Sequence, residues 1–226
     1  MKKALFSLLA IIASFCYAYA HAQHNSESID RLLCSLGKQD QKTRLNLNRV
    51  VQQGIADSII HYAQIMALTD TANQQHVQQI LKDGVPSDLS AEAYHAIFLI
   101  IDHADTKFQK QHFNDLCALA QQGHIPTYDI ATLQDRILMH RNKKQIFGTQ
   151  TVAKPITITQ PESHPEMTNY VWAVRNPKHL EKRRTEVGLG TMERQAAGHA
   201  KFGYNSIFDP TLSKRDIKRL TAQKKK

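Results

Sequence analysis

Apolar side chains recur every three or four residues through most of the stretch from residue 28 to residue 140. The first of these runs contains Ile29, Leu32, Leu33 and Leu36. This spacing places apolar side chains on one face of an α-helix, where they can pack against a neighbouring helix. Because the pattern returns several times, the sequence predicts a mainly α fold in which about six helices form a bundle.

Caps and turn residues divide this stretch into six predicted helices. Ser90 and Thr127 are predicted to cap helices, and Gly84 and Gly123 are predicted to end them. The helices are expected from about Ser28 toward Arg44, through Ile55 to Met66, through Val77 to Leu81, from Ser90 through Ile101, from Asp105 or Thr106 to Gln122, and from Thr127 through Leu138.

The pattern changes after the sixth helix. Gln145 to Gln150 and Val152 to Thr159 favour extended backbone and are interrupted by Gly148 and Pro155. We therefore expect short strands, or an extended strap, across the bundle. Tyr170 to Trp172 is the expected partner strand. Short helices near His179 to Glu186 and Met192 to Ala197, and a frayed end from Lys214 to Lys226, complete the prediction.

The first residues have the order of a secretory signal peptide. Met1-Lys2-Lys3 is basic, Ala4 to Ala13 is apolar, and small residues alternate at Ala18 and Ala20 or at Ala20 and Ala22. The apolar run is shorter than the roughly 20 residues that span a membrane, which favours cleavage over an uncleaved anchor. The expected organisation is a signal peptide over 1–22, a helical domain over 26–190 and a basic extension over 191–226. A cleaved chain would be secreted or periplasmic and not an integral membrane protein.

Positive charge is concentrated at the C-terminal end. Residues 23–172 hold 13 Lys and Arg against 15 Asp and Glu, whereas residues 175–226 hold 14 against 5. One interpretation is that the extension binds an anionic envelope component, such as lipid head groups, lipopolysaccharide or another polymer. The other is a solvated end that keeps the protein soluble. Nucleic acid is not an expected partner, because the signal peptide directs the chain out of the cytoplasm.

Two cysteines remain after the predicted signal peptide, Cys34 and Cys117. In an oxidising compartment a single pair is a disulfide candidate. Small buried cysteines are also common in helical cores. The sequence leaves the bonded pair and the free thiols as equal alternatives.

Three polar clusters stand where helices end or loops begin. They are His103-Ala104-Asp105, Asp135-Arg136 and the stretch Gln145 to Gln150. Loops and helix ends are where proteins display binding and catalytic groups, so we expect the clusters to share one cleft. A histidine beside a carboxylate is a common general-base arrangement. The acid–base candidates are His103, Asp105 and Asp135. The ligand-binding candidates, one arginine, two amides and one hydroxyl, are Arg136, Gln145, Thr149 and Gln150.

A purely structural interpretation of the same residues stays open. Asp105 can cap the following helix. Adjacent Asp135 and Arg136 point about 100° apart on a helix, so they cannot serve one small ligand together. Either of them can instead lock onto Asp40 or Arg44 of the first helix. No metal site is expected, because the histidines lack a ligand spacing such as H-E-x-x-H.

Five motifs occur in an order that resembles a bacterial family of unknown function. The motifs are Asp40-Gln41-x-x-Arg44, Gly84-x-Pro86, His103-Ala104-Asp105, Asp135-Arg136-Ile137 and Gln145-x-Phe147-Gly148-Thr149-Gln150. Members of that family typically read DQxxR, GWP, QHAD, DR and QxYGTQ. Arg183-Arg184 with Gly188-Leu189 also resembles the RRxxxGL ending of that family. This chain has Val85, Asp102 and Phe147 where the family has Trp, Gln and Tyr. The resemblance implies a polar site and carries no activity.

These features predict a secreted or periplasmic protein that binds a small polar or anionic ligand in a cleft of His, Asp, Arg and Gln side chains. Acid–base chemistry of a hydrolase-like kind is the expected extension of that binding. The alternative is a non-catalytic module of the cell envelope. In that case the polar residues hold the fold together and the basic extension binds an anionic partner.

Overall fold

Five long helices form the main body of the protein. A computed structural model describes residues 2–154 and 167–222, with side chains from residue 26 onward. The helices are α1 (Lys2–Gln53), α2 (Ala56–Ile80), α3 (Ala91–His103), α4 (Thr106–Gln121) and α5 (Thr127–His140). Helix α1 packs against α2 and α3, and α4 packs against α5. The predicted mainly α fold is confirmed.

Helix α3 supplies the centre of the apolar core. Its Ile97 and Ile101 are completely buried, as the dense apolar pattern of this helix predicted. Leu33 of α1, Leu116 of α4 and Leu133 of α5 are buried in the same cluster. Burying side chains of this size stabilises the fold by about 1.5–3 kcal/mol each, so this cluster holds the bundle together.

The predicted second and third helices are wrong as separate elements, because they form the single helix α2. No glycine or proline lies between residues 56 and 80, so nothing breaks the backbone where the apolar pattern fades. The helix tightens into a 3₁₀ turn over Leu81–Asp83 and stops at Gly84, whose φ is 105°. The predicted stop at Gly84 is correct.

One of the two predicted caps is correct. The Ser90 hydroxyl accepts a hydrogen bond from the Ala93 backbone N–H, as expected for an N-cap. Thr127 is not a cap, because Pro126 occupies the N-cap position and offers no side-chain acceptor. The Thr127 hydroxyl instead donates to the Val187 carbonyl at 3.1 Å. It ties the start of α5 to the chain after residue 186.

A small sheet of three strands follows the helices, with the order β1 (Thr151–Ala153), β2 (Met167–Val171) and β3 (Tyr204–Ile207). Strand β1 runs antiparallel to β2, with Thr151 opposite Val171. Strand β3 runs parallel to β2, with Met167 opposite Tyr204. The expected strap with its partner strand is confirmed, whereas residues 155–159 of the predicted strap lie outside the described residues. Strand β3 was not predicted.

The C-terminal part contains three further helices, α6 (Leu180–Glu186), α7 (Met192–Ala200) and α8 (Lys214–Leu220). The prediction of a frayed end is wrong for α8. Ser213 and Asp216 form a capping box at its start, and Ile217 is buried with Trp172. Burial of Ile217 therefore packs this basic helix against the residues of the sheet. Lys224, Lys225 and Lys226 lie outside the described residues.

The N-terminal residues begin helix α1, which starts at Lys2. In the ranges 2–154 and 167–222, no helix is both long and apolar enough to cross a membrane. The signal peptide over residues 1–22 stays a prediction.

Cys34 and Cys117 are free cysteines. The Cys34 thiol donates to Asp30 Oδ2 at 3.7 Å. Burial raises the pKa of both thiols. A raised pKa keeps a thiol protonated at neutral pH, which is the unreactive form.

The contact between α1 and α3 depends on a residue without a side chain. A Cβ atom added at Gly37 would lie 2.8 Å from the Cβ of Ala96. Helices can approach this closely only where one of them presents glycine.

Gly37→Ala should therefore lower the free energy of unfolding, although alanine favours a helix over glycine by about 1 kcal/mol. Overpacking of this kind costs about 1–3 kcal/mol. Gly198→Ala is the matched control, because Gly198 lies in α7 and its added Cβ meets no atom within 4 Å. Urea denaturation should show opposite signs for the two variants. Equal stabilisation by both would contradict this close packing.

Candidate functional site

The carboxylate of Asp135 organises the loop that follows α5. Asp135 is completely buried and accepts hydrogen bonds from the backbone N–H groups of Ile146, Phe147 and Thr149 at 2.6 to 3.2 Å. The Thr149 hydroxyl donates to the same carboxylate. Burial raises the pKa of Asp135, and these hydrogen bonds act against that rise. Asp135 therefore holds the loop 145–150 and has no position left for a ligand.

The two glutamines of this loop bind other parts of the protein. Gln145 is completely buried; its side chain accepts from the Gln150 N–H and donates to the carbonyls of Gln150 and Trp172. The Gln150 amide donates to the Thr132 carbonyl and the Thr149 hydroxyl. Three of the predicted ligand-binding residues, Gln145, Thr149 and Gln150, thus satisfy protein groups. They connect α5, the loop and the sheet.

Two adjacent arginines and a glutamine hold the carbonyl side of the loop. Arg183 Nε donates to the Ile146 carbonyl at 3.0 Å. Arg184, which is 2% exposed, donates to the Phe147 carbonyl at 2.6 Å. The Gln195 amide donates to the carbonyl of Gly148. The loop is therefore held from both its N–H and its carbonyl groups.

Asp105 acts as the N-cap of α4. Its carboxylate accepts from the backbone N–H groups of Lys107 and Phe108 and from the amide of Gln74. The Gln74 hydrogen bond, followed by that of Phe108, lowers the pKa of Asp105. The structural alternative for Asp105 accounts for all of these contacts, and they leave it no separate catalytic partner.

His103 lies between two carboxylates. Its Nδ1 is 3.0 and 3.1 Å from the two carboxylate oxygens of Asp40, which is 1% exposed. Its Nε2 lies 3.8 Å from Asp102 Oδ2. Because Asp40 belongs to α1 and His103 ends α3, this contact joins two helices at the side of the bundle where α3 stops.

Two arginines extend this arrangement on either side. Arg44 pairs with Asp40 at 3.0 Å and binds both oxygens of Asp70 on α2. Arg136 binds Asp102 with two nitrogens, each at 2.8 Å. These contacts form a continuous series of charged residues, which we call the charge network and which connects four helices. In order its members are Asp70, Arg44, Asp40, His103, Asp102 and Arg136.

Around His103, the cationic members of the charge network are more accessible than the carboxylates. The side chains of His103 and Arg136 are 16% and 26% exposed, whereas those of Asp40 and Asp102 are 1% and 5% exposed. Arg136 uses Nε and Nη2 for Asp102. Its Nη1 has no hydrogen-bond acceptor in the part of the chain that the structure describes. The part of the network around His103 therefore presents donors to solvent above buried carboxylates, whereas Asp70 at the other end is 21% exposed.

His140 and Thr106 lie beside this accessible surface. His140 Nδ1 is 3.0 Å from the Thr106 hydroxyl. Burial lowers the pKa of His140, and the charge of Arg136 lowers it further. A neutral imidazole thus stands next to the guanidinium of Arg136. The spacing of four residues between Arg136 and His140 on α5 places both side chains on one helix face.

A buried carboxylate near the charge network has no hydrogen-bond partner of its own. Asp129 Oδ2 meets none among the described residues, although His95 Nδ1 lies 3.6 Å away. Burial, followed by the charge of Asp102, raises the pKa of Asp129 to about 7. The sequence contains no signal for this, because it does not show which carboxylates share a buried side of the bundle.

The structure separates the predicted cleft into two parts. Asp135, Gln145, Thr149 and Gln150 belong to the loop, whereas His103 and Arg136 belong to the charge network. Asp135 and Arg136 point to different partners, as their helical spacing predicted. The suggested lock of this pair onto α1 is wrong, because Arg44 binds Asp40 and Asp70. Across the described ranges, no group of three or more His, Cys, Asp or Glu side chains is arranged to hold a metal ion.

Residues 28–198 match the model of DUF6624, a family of unknown function. The chain belongs to this family. The loop contacts and the charge network, from Asp40 to Gln195, lie inside the matched residues of the DUF6624 domain. No curated protein and no solved structure matches the chain. The resemblance to a family of unknown function is thus confirmed, and the chemistry has to be argued from the site itself.

Asp135→Ala should destabilise the DUF6624 domain strongly. The change leaves three backbone N–H groups without their acceptor, at about 1–3 kcal/mol for each buried group that finds no other partner. We expect the free energy of unfolding to fall by at least about 3 kcal/mol. Asp83→Ala is the control, because its side chain is 85% exposed. Urea denaturation measures both, and equal effects would contradict the role of Asp135.

Asp129→Asn should change how stability depends on pH. The folded protein keeps a proton on Asp129 up to a pKa of about 7, whereas the ordinary value is 3.8. The folded protein gains the full stability from this protonation when the pH is below the ordinary pKa of 3.8. This stability is lost as the pH rises to the pKa of about 7. The free energy of unfolding of the variant should therefore rise relative to that of wild type as the pH increases from 3.8 to about 7. Above about pH 7 the difference should stay constant.

The measurement for Asp129 is the free energy of unfolding of both proteins at several pH values between about 4 and about 8. Asp83→Asn serves as the control for removing one carboxylate. A difference between Asp129→Asn and wild type that does not vary with pH would show that Asp129 titrates normally.

Proposed function

We propose that this protein binds a small polar or anionic ligand beside His103 and Arg136 and performs acid–base chemistry on it. The observation that carries the proposal is the contact of His103 Nδ1 with both oxygens of the buried Asp40. A carboxylate in this position orients the imidazole and fixes its tautomer, which is the usual support for a general base.

The proposed step uses the second nitrogen of the ring. With Nδ1 donating its hydrogen to Asp40, Nε2 carries the lone pair. Nε2 takes a proton from a water molecule or a ligand hydroxyl, and Asp40 stabilises the imidazolium that forms. Arg136 neutralises Asp102, so that the second carboxylate does not repel an incoming polar group.

Arg136 is the proposed ligand donor. Its Nε and Nη2 are held by Asp102 at 2.8 Å, which leaves Nη1 to donate to a ligand oxygen. His140 and the Thr106 hydroxyl add hydrogen-bonding groups at the same surface. These groups favour a ligand with a carboxylate, phosphate or carbonyl oxygen. The predicted signal peptide supports an encounter with this ligand outside the cytoplasm.

A non-catalytic role is the second candidate, and the span of the charge network favours it. Its six residues connect α1, α2, α3 and α5. Breaking a buried ion pair by removing one partner costs about 3–5 kcal/mol, so such a network can exist for stability alone. Conservative variants therefore distinguish the two candidates. They should lose ligand binding if the network forms a site, and stability if its role is structural.

His103→Gln and Arg136→Lys test the proposal, because both keep a donor or a charge in place. The probes are acetate, citrate and inorganic phosphate in thermal unfolding, and 4-nitrophenyl acetate and 4-nitrophenyl phosphate for turnover. At least one anion should raise the melting temperature of wild type, as ligands of the folded state do, and His103→Gln should abolish turnover of at least one ester. Both variants should lose binding while their own melting temperatures stay close to that of wild type.

His76→Gln and Arg49→Lys are the controls, since both residues are exposed. They should keep binding and turnover. A large fall in the melting temperature of both site variants, with no probe bound by wild type, would favour the structural role instead. Binding without any turnover would keep the ligand site and contradict the acid–base step.

A further inference from the structure

A basic basin lies between α8 and the loop that follows α5. Its volume is about 660 Å³, and four of its lining side chains are cationic. These are Lys144, which lies between α5 and the loop 145–150, and Lys214, Arg215 and Lys218 from α8. The last three lie beyond residues 28–198, the part that matches the family. None of the residues that line the basin is a member of the charge network.

The positive charge of this basin is only partly compensated by the protein. Asp216 is the one carboxylate in its lining, and its oxygens accept from Ser213 and pair with Arg219 at 3.1 Å. None of the four lining cations makes an ion pair with a carboxylate in the part of the chain that the structure describes. Four cations around one basin outnumber its single carboxylate, and a bound anion would reduce this excess of positive charge.

The cations are held by ordered parts of the fold. Lys214 Nζ donates to the Asn142 carbonyl at 2.6 Å, which joins α8 to the loop. Lys218 Nζ lies 5.9 Å from the centre of the Trp172 ring. Ile217, between them and the sheet, is 1% exposed. These contacts hold Lys214 and Lys218 at the concave surface.

We propose that this basin binds a phosphate-bearing group with more than one negative charge. Lysine and arginine together suit phosphate, because one supplies a point charge and the other a planar fork. A concave basin of this volume fits a compact anion better than it fits a flat charged surface. The site does not depend on His103 or on the proposed acid–base chemistry.

Calorimetric titration of the full chain with inorganic tripolyphosphate tests the proposal. Wild type should bind, and its affinity should fall as NaCl is added, because salt screens the attraction. Lys144→Gln/Arg215→Gln should weaken binding at least about tenfold, because it removes two of the four cations that attract the anion. Lys110→Gln/Lys182→Gln has the same net charge, both residues are exposed on other helices, and it should bind like wild type.

Sedimentation with phosphatidylcholine vesicles, with and without phosphatidylglycerol, identifies the source of the phosphate. Binding of tripolyphosphate alone indicates a soluble ligand, and binding of anionic vesicles that the Lys144 and Arg215 changes remove indicates a lipid head group. Both results support the basin. Equal losses in the two double variants, or no binding of either probe by wild type, would overturn it. Binding that His103→Gln leaves intact distinguishes this site from the one beside His103.

Discussion

Three buried carboxylates determine how the parts of this protein fit together. Asp40, Asp102 and Asp135 lie on three different helices and are at most 4% exposed. An unpaired charge out of water costs several kcal/mol, so each must meet a partner. Asp40 meets His103 and Arg44, Asp102 meets Arg136, and Asp135 meets the N–H groups of the loop. These pairings specify how α1, α2, α3 and α5 lie against each other and where the loop joins the sheet.

This constraint also decides which polar groups can act on a ligand. The loop 145–150 uses its side chains and its backbone to connect α5, the sheet and the two arginines of α6. The polar groups of this loop therefore hold parts of the fold together and do not bind a ligand. The groups that still reach solvent are on the charge network, where His103, Arg136 and their neighbour His140 lie together. A site with buried carboxylates below and nitrogen groups above favours proton transfer and oxygen-bearing ligands.

The sequence predicted the helical body well, because periodicity and caps such as Ser90 and Asp105 are local signals. The polar clusters were predicted to form one site, whereas the structure divides them into two. The sequence does not show whether a polar side chain faces a ligand or a backbone group. Asp40 and His103 are 63 residues apart, and Asp102 and Arg136 are 34 apart. Strand β3 was not predicted because its parallel partner, β2, lies far away in the chain. Only the packed fold brings such pairs together.

The contact between His103 and the buried Asp40 can be measured through the protonation pattern of the imidazole ring. ¹⁵N NMR of the imidazole distinguishes a ring that carries its hydrogen on Nδ1 from one that carries it on Nε2. Neutral His103 should be protonated at Nδ1, with a hydrogen bond to Asp40 that Asp40→Asn changes and Asp83→Asn does not. A neutral ring protonated at Nε2, unaffected by Asp40→Asn, would contradict the contact on which both the helix arrangement and the proposed chemistry depend.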